Sequence, residues 1–505
     1  PQGERNATLT SIAGTLRRKG LTSNEIFEML RIINANRCKP PLTDNELETI
    51  SLSISRYPPQ PDSDDKSVPF TEDALAIEFS IRHKDDWRYV AGWGSWLHWD
   101  GMRWKKETTL KAFDLARKIC RQSAKQCDKV KKAEKILSAA TVAAVERLAR
   151  ADRAHASTSE QWDSDLFAFN TQSGVLDTKT GAISPHSKQY HITRLANAGI
   201  GTQCPNWLKF LNDITNGNTE LCEYLSRVAG YCLTGSTEEH VLFFLYGTGA
   251  NGKSVFLNTL CSIWGDYATH APLDTFLENR SDRHPTDLAK LRGARLVIAT
   301  EISHGKHWDE AKIKAITGGD TISARFMRQD FFDYKPQFKL LIAGNHKPSL
   351  RNVDEAMRRR IHLIPFTLTI PPEKRDPKLM ERLLEERDGI LGWAVNGCLK
   401  WQEIGLKPPQ CVLSATQEYF ESQDAIKRWL EDECILDVNA FCSTEELFNS
   451  WKLWAENNGE FAGSKRRFSD ELERRGYKRH RYGNDRTRGF IGISTKTKPF
   501  QENIL

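Results

Sequence analysis

The densest chemistry in the sequence sits between residues 247 and 254: Gly247-Thr248-Gly249-Ala250-Asn251-Gly252-Lys253-Ser254. Glycines at the start and near the end let a loop turn its backbone N–H groups toward an anion. A lysine at the next position can reach the outer phosphates of a nucleoside triphosphate, and the serine hydroxyl can ligate magnesium. This pattern points to ATP and Mg2+ as ligands, with all eight residues in the phosphate-binding loop.

The flanking elements suit that task. Val241 to Tyr246 is an uninterrupted apolar run, expected as a central parallel strand. Val255 onward reads as a helix, whose N-terminal dipole adds positive potential under the phosphates. A second apolar strand, from Leu296, ends in Glu301, the candidate for orienting the attacking water and holding Mg2+ with Ser254. Only one acid stands there, because Thr300 precedes it. A third strand, from Phe338, ends at Asn345, expected between Glu301 and the terminal phosphate. Farther on, Arg358-Arg359-Arg360 precedes a fourth apolar strand. Three buried arginines would be costly without anions, so one of them is expected to stabilise transition-state charge.

The chain of 505 residues is too long for one hydrophobic core. Its 39% hydrophobic and 27% charged residues are those of a globular protein, and no apolar run is long enough to span a membrane. The eleven cysteines are scattered without metal-ligand spacing and are expected to be reduced thiols in a cytoplasm. The chain opens on Pro1, so a longer protein is expected to precede it. Net charge is +6, yet ten Lys/Arg against four acids fall between Lys465 and Arg488 alone. This tail includes Arg466, Arg467, Arg474, Arg475, Lys478 and Arg479, and it suggests a polyanion partner.

Five regions are expected. Residues 1–57 read as three small helices: Ser23 starts the second, and Thr43 with Glu46 makes a capping box for the third. Residues 58–69 are a polar, Pro-rich linker. Residues 70–204 form a mixed α+β domain with Trp93, Trp96, Trp99 and Trp104 on short strands and a Lys/Arg-rich helical stretch at 110–150, read as a solvated face. Residues 205–405 alternate strands and helices as an α/β domain. Residues 406–505 are helices followed by short strands.

Taken in order, these motifs resemble those of superfamily 3 helicases of the phage, plasmid and poxvirus primase–helicase type. The resemblance rests on the loop at 247–254, on Leu291-Arg-Gly-Ala-Arg-Leu-Val-Ile-Ala-Thr-Glu301, and on Lys314-Ala-Ile-Thr-Gly-Gly-Asp320-Thr-Ile-Ser-Ala-Arg325. Lys339-Leu-Leu-Ile-Ala-Gly-Asn-His-Lys-Pro348 and Arg359-Arg360-Ile-His-Leu-Ile-Pro-Phe366 complete it. It implies an α/β P-loop AAA+ core with a central parallel sheet, flanked by N-terminal helical and mixed domains and a C-terminal winged helix. It also implies a homo-oligomeric ring, commonly a hexamer, with ATP between subunits and Arg360, or second Arg359, as the arginine finger. A hairpin over 326–335 would grip single-stranded DNA through Arg328 and Lys335, with Phe331, Phe332 or Tyr334 available to stack on bases. A primase domain would lie before Pro1, and the setting would be the cytoplasm of a bacterial host. The leading expectation is an ATP hydrolase that unwinds duplex DNA. The alternatives are a DNA-loading platform that does not unwind, and an RNA helicase.

Overall fold

The computed structural model describes residues 5–18, 21–56, 70–278, 286–300, 306–328, 330–350, 354–460, 462–482 and 487–496. It divides into two compact units: residues 1–96 with 107–157, and residues 97–106 with 158–505.

In the first unit, helices Arg5–Arg18, Ser23–Arg37 and Asp44–Ser55 share a small core. Leu9, Ala13, Ile26, Leu30, Leu47 and Ile50 meet there because they recur at three- and four-residue spacing. Both interior helices open with capping boxes. Thr43 N–H donates to Glu46 Oε2 at 2.8 Å as its sequence signals; the second helix begins at Ser23 as expected, and Thr22 before it caps it, its N–H donating to Glu25 Oε2 at 2.7 Å. Each cap stabilises its helix by about 1 kcal/mol. The linker at 58–69 lies outside the described residues. Beyond it, helices Glu72–His83, Lys111–Lys125 and Ala139–Ala151 pack around Phe79, Trp87 and Trp96.

The second unit is built on a five-stranded parallel sheet. Its strands are β1 (Leu242–Tyr246), β2 (Ala268–His270), β3 (Leu296–Thr300), β4 (Lys339–Gly344) and β5 (Ile361–Pro365), in the spatial order β5-β1-β4-β3-β2. Side chains alternate between its two faces. Phe243, Leu245, Ile298, Leu341 and Ile364 face one core, with helices Thr219–Tyr231 and Arg387–Ile404. Leu242, Phe244, Val297, Ile342 and Leu363 face the other, with Trp308 and Tyr419. Burial on both faces is why these strands read as unbroken apolar runs. The short edge strand β2 has no such run, and nothing in the sequence signals it.

Two further segments join these cores. Phe169, Leu176, Ala196 and Ala198 pack in the first, and helix Gln410–Gln423 lies along β5, where Leu363 N–H donates to Thr416 Oγ1 at 3.0 Å. The composition-based edges at 204 and 405 therefore do not coincide with an edge of the packed core.

After Asp424 a separate apolar core forms from Trp429, Leu447, Trp451, Phe468, Leu472 and Phe490. Around it are helices Ala425–Glu433, Thr444–Asn457 and Lys465–Arg474 and a three-stranded antiparallel sheet of Phe441–Ser443, Thr487–Ile491 and Lys478–Tyr482. All eleven cysteines are unpaired. Among the described residues, no helix is long and apolar enough to cross a membrane.

Candidate nucleotide site

β1 runs directly into the glycine-rich loop, and helix α1 (Lys253–Trp264) leaves it. Gly247, Gly249 and Gly252 all have positive φ (154°, 101° and 84°). A Cβ at Gly247 would overlap Phe366 O and the Asn251 amide, and one at Gly252 would lie 2.6 Å from Ile214 Cγ2. Above Gly249 nothing lies within 4 Å of a Cβ position, so the loop opens to space there. Among the described residues, the amides of 248–252 donate to no backbone or side-chain acceptor. A loop of spare N–H donors at a helix N-terminus is a seat for phosphate.

Lys253 is buried, and among the described residues every oxygen it meets is neutral. Its Nζ donates to Gly247 O and Asn251 Oδ1, both at 2.9 Å, and to Asn345 Oδ1 at 3.4 Å. Burial pushes its pKa below the usual lysine range. Among the described residues no carboxylate meets this ammonium, and an incoming anion would add compensating charge. Ser254 is exposed at the first turn of α1.

The sheet order brings Asn345 to this lysine. β4 lies between β1 and β3, with Gly344 opposite Tyr246 and Ala343 opposite Thr300. Asn345 thus emerges beside the phosphate loop, between it and the end of β3. Glu301, the next residue of that strand, lies outside the described residues. The loop and Ser254 thus fit a Mg-nucleotide, as far as these residues are described.

Sequence spacing did not reveal the wall opposite. β5 is the other neighbour of β1, and the chain beyond it closes over the loop. Phe366 N–H donates to Tyr246 O, Asn251 Nδ2 donates to Phe366 O at 2.7 Å, and Ile370 N–H donates to Ala250 O. Thr369 Oγ1 lies 3.3 Å from Thr248 Oγ1. Lys347 adds a cation 4.1 Å above the Tyr246 ring. Only a parallel pairing of strands more than a hundred residues apart makes these contacts, so no local pattern carries them.

The three arginines at the start of β5 separate. Arg358 lies over the Phe420 ring at 5.4 Å, Arg359 is exposed and Arg360 is buried. Arg360 Nε donates to Thr317 Oγ1 at 3.2 Å and its Nη1 to Ala356 O at 2.8 Å. Its guanidinium is thus engaged within its own chain, which departs from the expectation that Arg360 is the group extended outward. The cost of burying three arginines does not arise, since a single one is buried. Both Arg359 and Arg360 lie at the N-terminal end of β5, a strand length from the chain's own phosphate loop, or roughly 15 Å at about 3.3 Å per residue.

Strands Ile322–Ala324 and Phe332–Tyr334 pair antiparallel, so the hairpin's first strand lies before the segment 326–335 expected from the sequence. Arg328 (φ 62°) and Lys335 are exposed. Tyr334 is buried and its hydroxyl donates to Leu288 O at 2.6 Å, and Phe332 packs on the core, so these two hold the base of the hairpin. Phe331 remains exposed, with Arg325 4.6 Å over its ring.

In the basic tail, Arg466, Arg467, Arg474, Lys478 and Arg479 are exposed. Arg475 is not: it pairs with Asp424 at 2.6 Å and Glu471 at 3.2 Å and ties the last subdomain to the chain entering it. This removes Arg475 from the set available to a polyanion. Arg479 is shared with Asp470 and Glu473.

Three segments match known families: residues 77–216 match "D5 N terminal like", residues 245–360 a family of unknown function (DUF5906), and residues 1–60 "Primase C terminal 1 (PriCT-1)". A protein of Acanthamoeba polyphaga mimivirus named "Putative helicase" is 27% identical over 257 residues, which cover 47% of this chain and 27% of that protein. "Primase D5" of fowlpox virus is 27% identical over 168 residues, covering 32% of this chain and 21% of that protein. The solved NrS-1 C-terminal region aligns over 71% of this chain and 80% of that one at 10% identity and a TM-score of 0.44, too low to carry an argument. The chain spans about a quarter of the length of the viral proteins named helicases that it matches, and the segment matches support a primase–helicase family.

Proposed function

We propose that this chain is the ATP-driven motor of a DNA helicase with an AAA+ core. Mg-ATP binds at residues 247–254, where Lys253 meets the outer phosphates and Ser254 and Glu301 hold the metal. Asn345 orients the attacking water together with Glu301. The observation that carries this reading is the buried Lys253 ammonium, held among the described residues by the neutral oxygens of Gly247, Asn251 and Asn345. A triphosphate is the anion that this position accepts best, given the spare amides around it.

The arginines support a ring. Neither Arg359 nor Arg360 can span a strand length to its own loop, so a finger from this segment acts on a neighbouring subunit. Arg359, the exposed one, takes that role ahead of Arg360. A ring, hexameric in the family it resembles, places the hairpin with Arg328, Lys335 and Phe331 toward a single strand of DNA. The last subdomain has the helix–strand order of a winged helix, with Lys465–Arg474 as its recognition helix. Arg466, Arg467, Arg474, Lys478 and Arg479 offer contacts to duplex phosphates.

A forked substrate tests the reading. Strand displacement that needs Mg-ATP, with a DNA fork and not an RNA fork, is the expected result. Binding without displacement would favour a loading platform, and displacement of RNA alone would favour an RNA helicase.

A further inference from the structure

Between Lys111 and Lys135 the chain carries nine lysines and arginines against three acids. None of them takes part in the nucleotide site. Helix Lys111–Lys125 buries Ala112, Ala116, Ile119, Cys120 and Ala124 in the first unit. All of its charge is therefore forced onto the outward face. Arg117, Arg121 and Lys125 follow at four-residue intervals and form one ridge, with successive cations about 6 Å apart along the axis. Phe113 precedes them on the same ridge and is 36% exposed. The short helix Val130–Ile136 packs against this helix and, with the residue before it, adds exposed Lys129, Lys131 and Lys135.

Lys118 is neutralised by Asp114 at 2.8 Å. Among the described residues, Arg117, Arg121, Lys125, Lys129, Lys131 and Lys135 make no ion pair. Like charges four residues apart destabilise a helix by about 0.2–0.5 kcal/mol per pair, and the Asp114 carboxylate, which is bonded to Lys118, offsets part of that cost for Arg117 and Arg121. Leu110, which precedes the long helix, is 76% exposed, and Val130, which opens the short one, is 72% exposed. The three acids of the segment leave six cations in excess, and a face shaped only by solvation would carry fewer large apolar groups.

We propose that this ridge docks the sugar–phosphate backbone of single-stranded DNA, as a second grip separate from the hairpin and the basic tail. Cations at regular spacing neutralise successive phosphates, and Phe113 offers a ring for a base. The choice of DNA rests on the function proposed above, but the charge argument does not.

The test uses the full chain carrying Lys253→Ala, so that nucleotide turnover cannot contribute. Anisotropy of a labelled single strand is followed across salt concentrations. Arg117→Gln/Arg121→Gln/Lys125→Gln is expected to reduce the slope of log K against log salt by about 2, at roughly 0.7 per lost phosphate contact, and to weaken binding about tenfold or more. Arg117→Lys/Arg121→Lys should keep both. An unchanged slope would overturn the proposal, as would loss of binding to an RNA strand or an acidic polypeptide while the DNA strand is retained. Should the triple variant fail to fold, crosslinking of a bromouridine-substituted DNA strand to the Lys253→Ala chain decides: adducts within residues 110–137 support the ridge, and adducts only elsewhere overturn it. A reduced slope in a protein whose Lys253 form hydrolyses no ATP would leave the ridge standing and sink the motor. DNA-stimulated hydrolysis with an unchanged slope would do the reverse.

Discussion

Asn251 holds Lys253 and the far wall of the loop at once: its Oδ1 accepts from Lys253 Nζ at 2.9 Å while its Nδ2 donates to Phe366 O at 2.7 Å. One buried amide therefore ties the lysine to the segment that follows β5. Because β5 begins next to Arg359 and Arg360, the same strand joins the phosphate loop to the arginines.

Removing that amide should loosen both ends. Asn251→Ala loses two hydrogen bonds, each worth about 1 kcal/mol. ATP hydrolysis is expected to fall about tenfold, with KM for ATP rising. Steady-state kinetics that match the unaltered chain would show that the amide has no part in holding the lysine.

The two arginines should separate by phenotype. Arg359→Ala is expected to bind nucleotide normally and to lose about 10³-fold or more in turnover. Mixed with Lys253→Ala chains, it should regain part of that turnover, because the mixture contains some intact interfaces. Arg360→Ala removes the bonds to Thr317 and Ala356 and is expected to cost about 1–3 kcal/mol of stability. Thermal melts and mixed-chain assays check both, and exchanged phenotypes would restore Arg360 as the finger.

Much of this site was legible in the sequence. The loop, its strand and its helix announce themselves because the glycines, the lysine and the apolar run lie within a few residues of one another. Strand order is what places Asn345 beside Lys253, and the apolar runs from Leu296 and Phe338 gave those strands correctly. Phe366 and Thr369 were hidden because their partners lie across the β5–β1 pairing, far away in sequence. The inward turn of Arg360 depends on Thr317, in helix Glu310–Gly318, and three successive arginines look alike until packing separates them. Domain edges were hidden for a similar reason: residues 158–204 and 410–423 bury their apolar faces in a core whose other half is remote in the chain.

Acid should weaken the fold through His362. This histidine lies on β5, its Nδ1 is 2.6 Å from the hydroxyl of Tyr224 in helix Thr219–Tyr231, and burial pushes its pKa down to about 4. An unfolded histidine titrates near 6.5. The folded value is the lower one, so the stabilisation is full above pH 6.5 and is lost as pH falls toward 4, by up to about 3 kcal/mol. Thermal melts between pH 7.5 and 4.5 should show that loss, and His362→Leu should flatten it. An equally steep decline in the variant would move the acid sensitivity to other groups.

The basic tail should divide into contacts and ties. Arg466→Ala and Lys478→Ala are each expected to lower the salt dependence of duplex binding by about 1, with the melting temperature unchanged. Arg475→Ala should instead destabilise the last subdomain, since it breaks the pairs with Asp424 and Glu471. Equal effects of all three on DNA binding alone would mean that Arg475 also reaches the duplex.

Hydrolysis of Mg-ATP, measured with and without single-stranded DNA for the unaltered chain and for Lys253→Ala, tests the central claim most directly. The account predicts turnover that rises with DNA and disappears when the lysine is replaced. Equal turnover in the two proteins would contradict it.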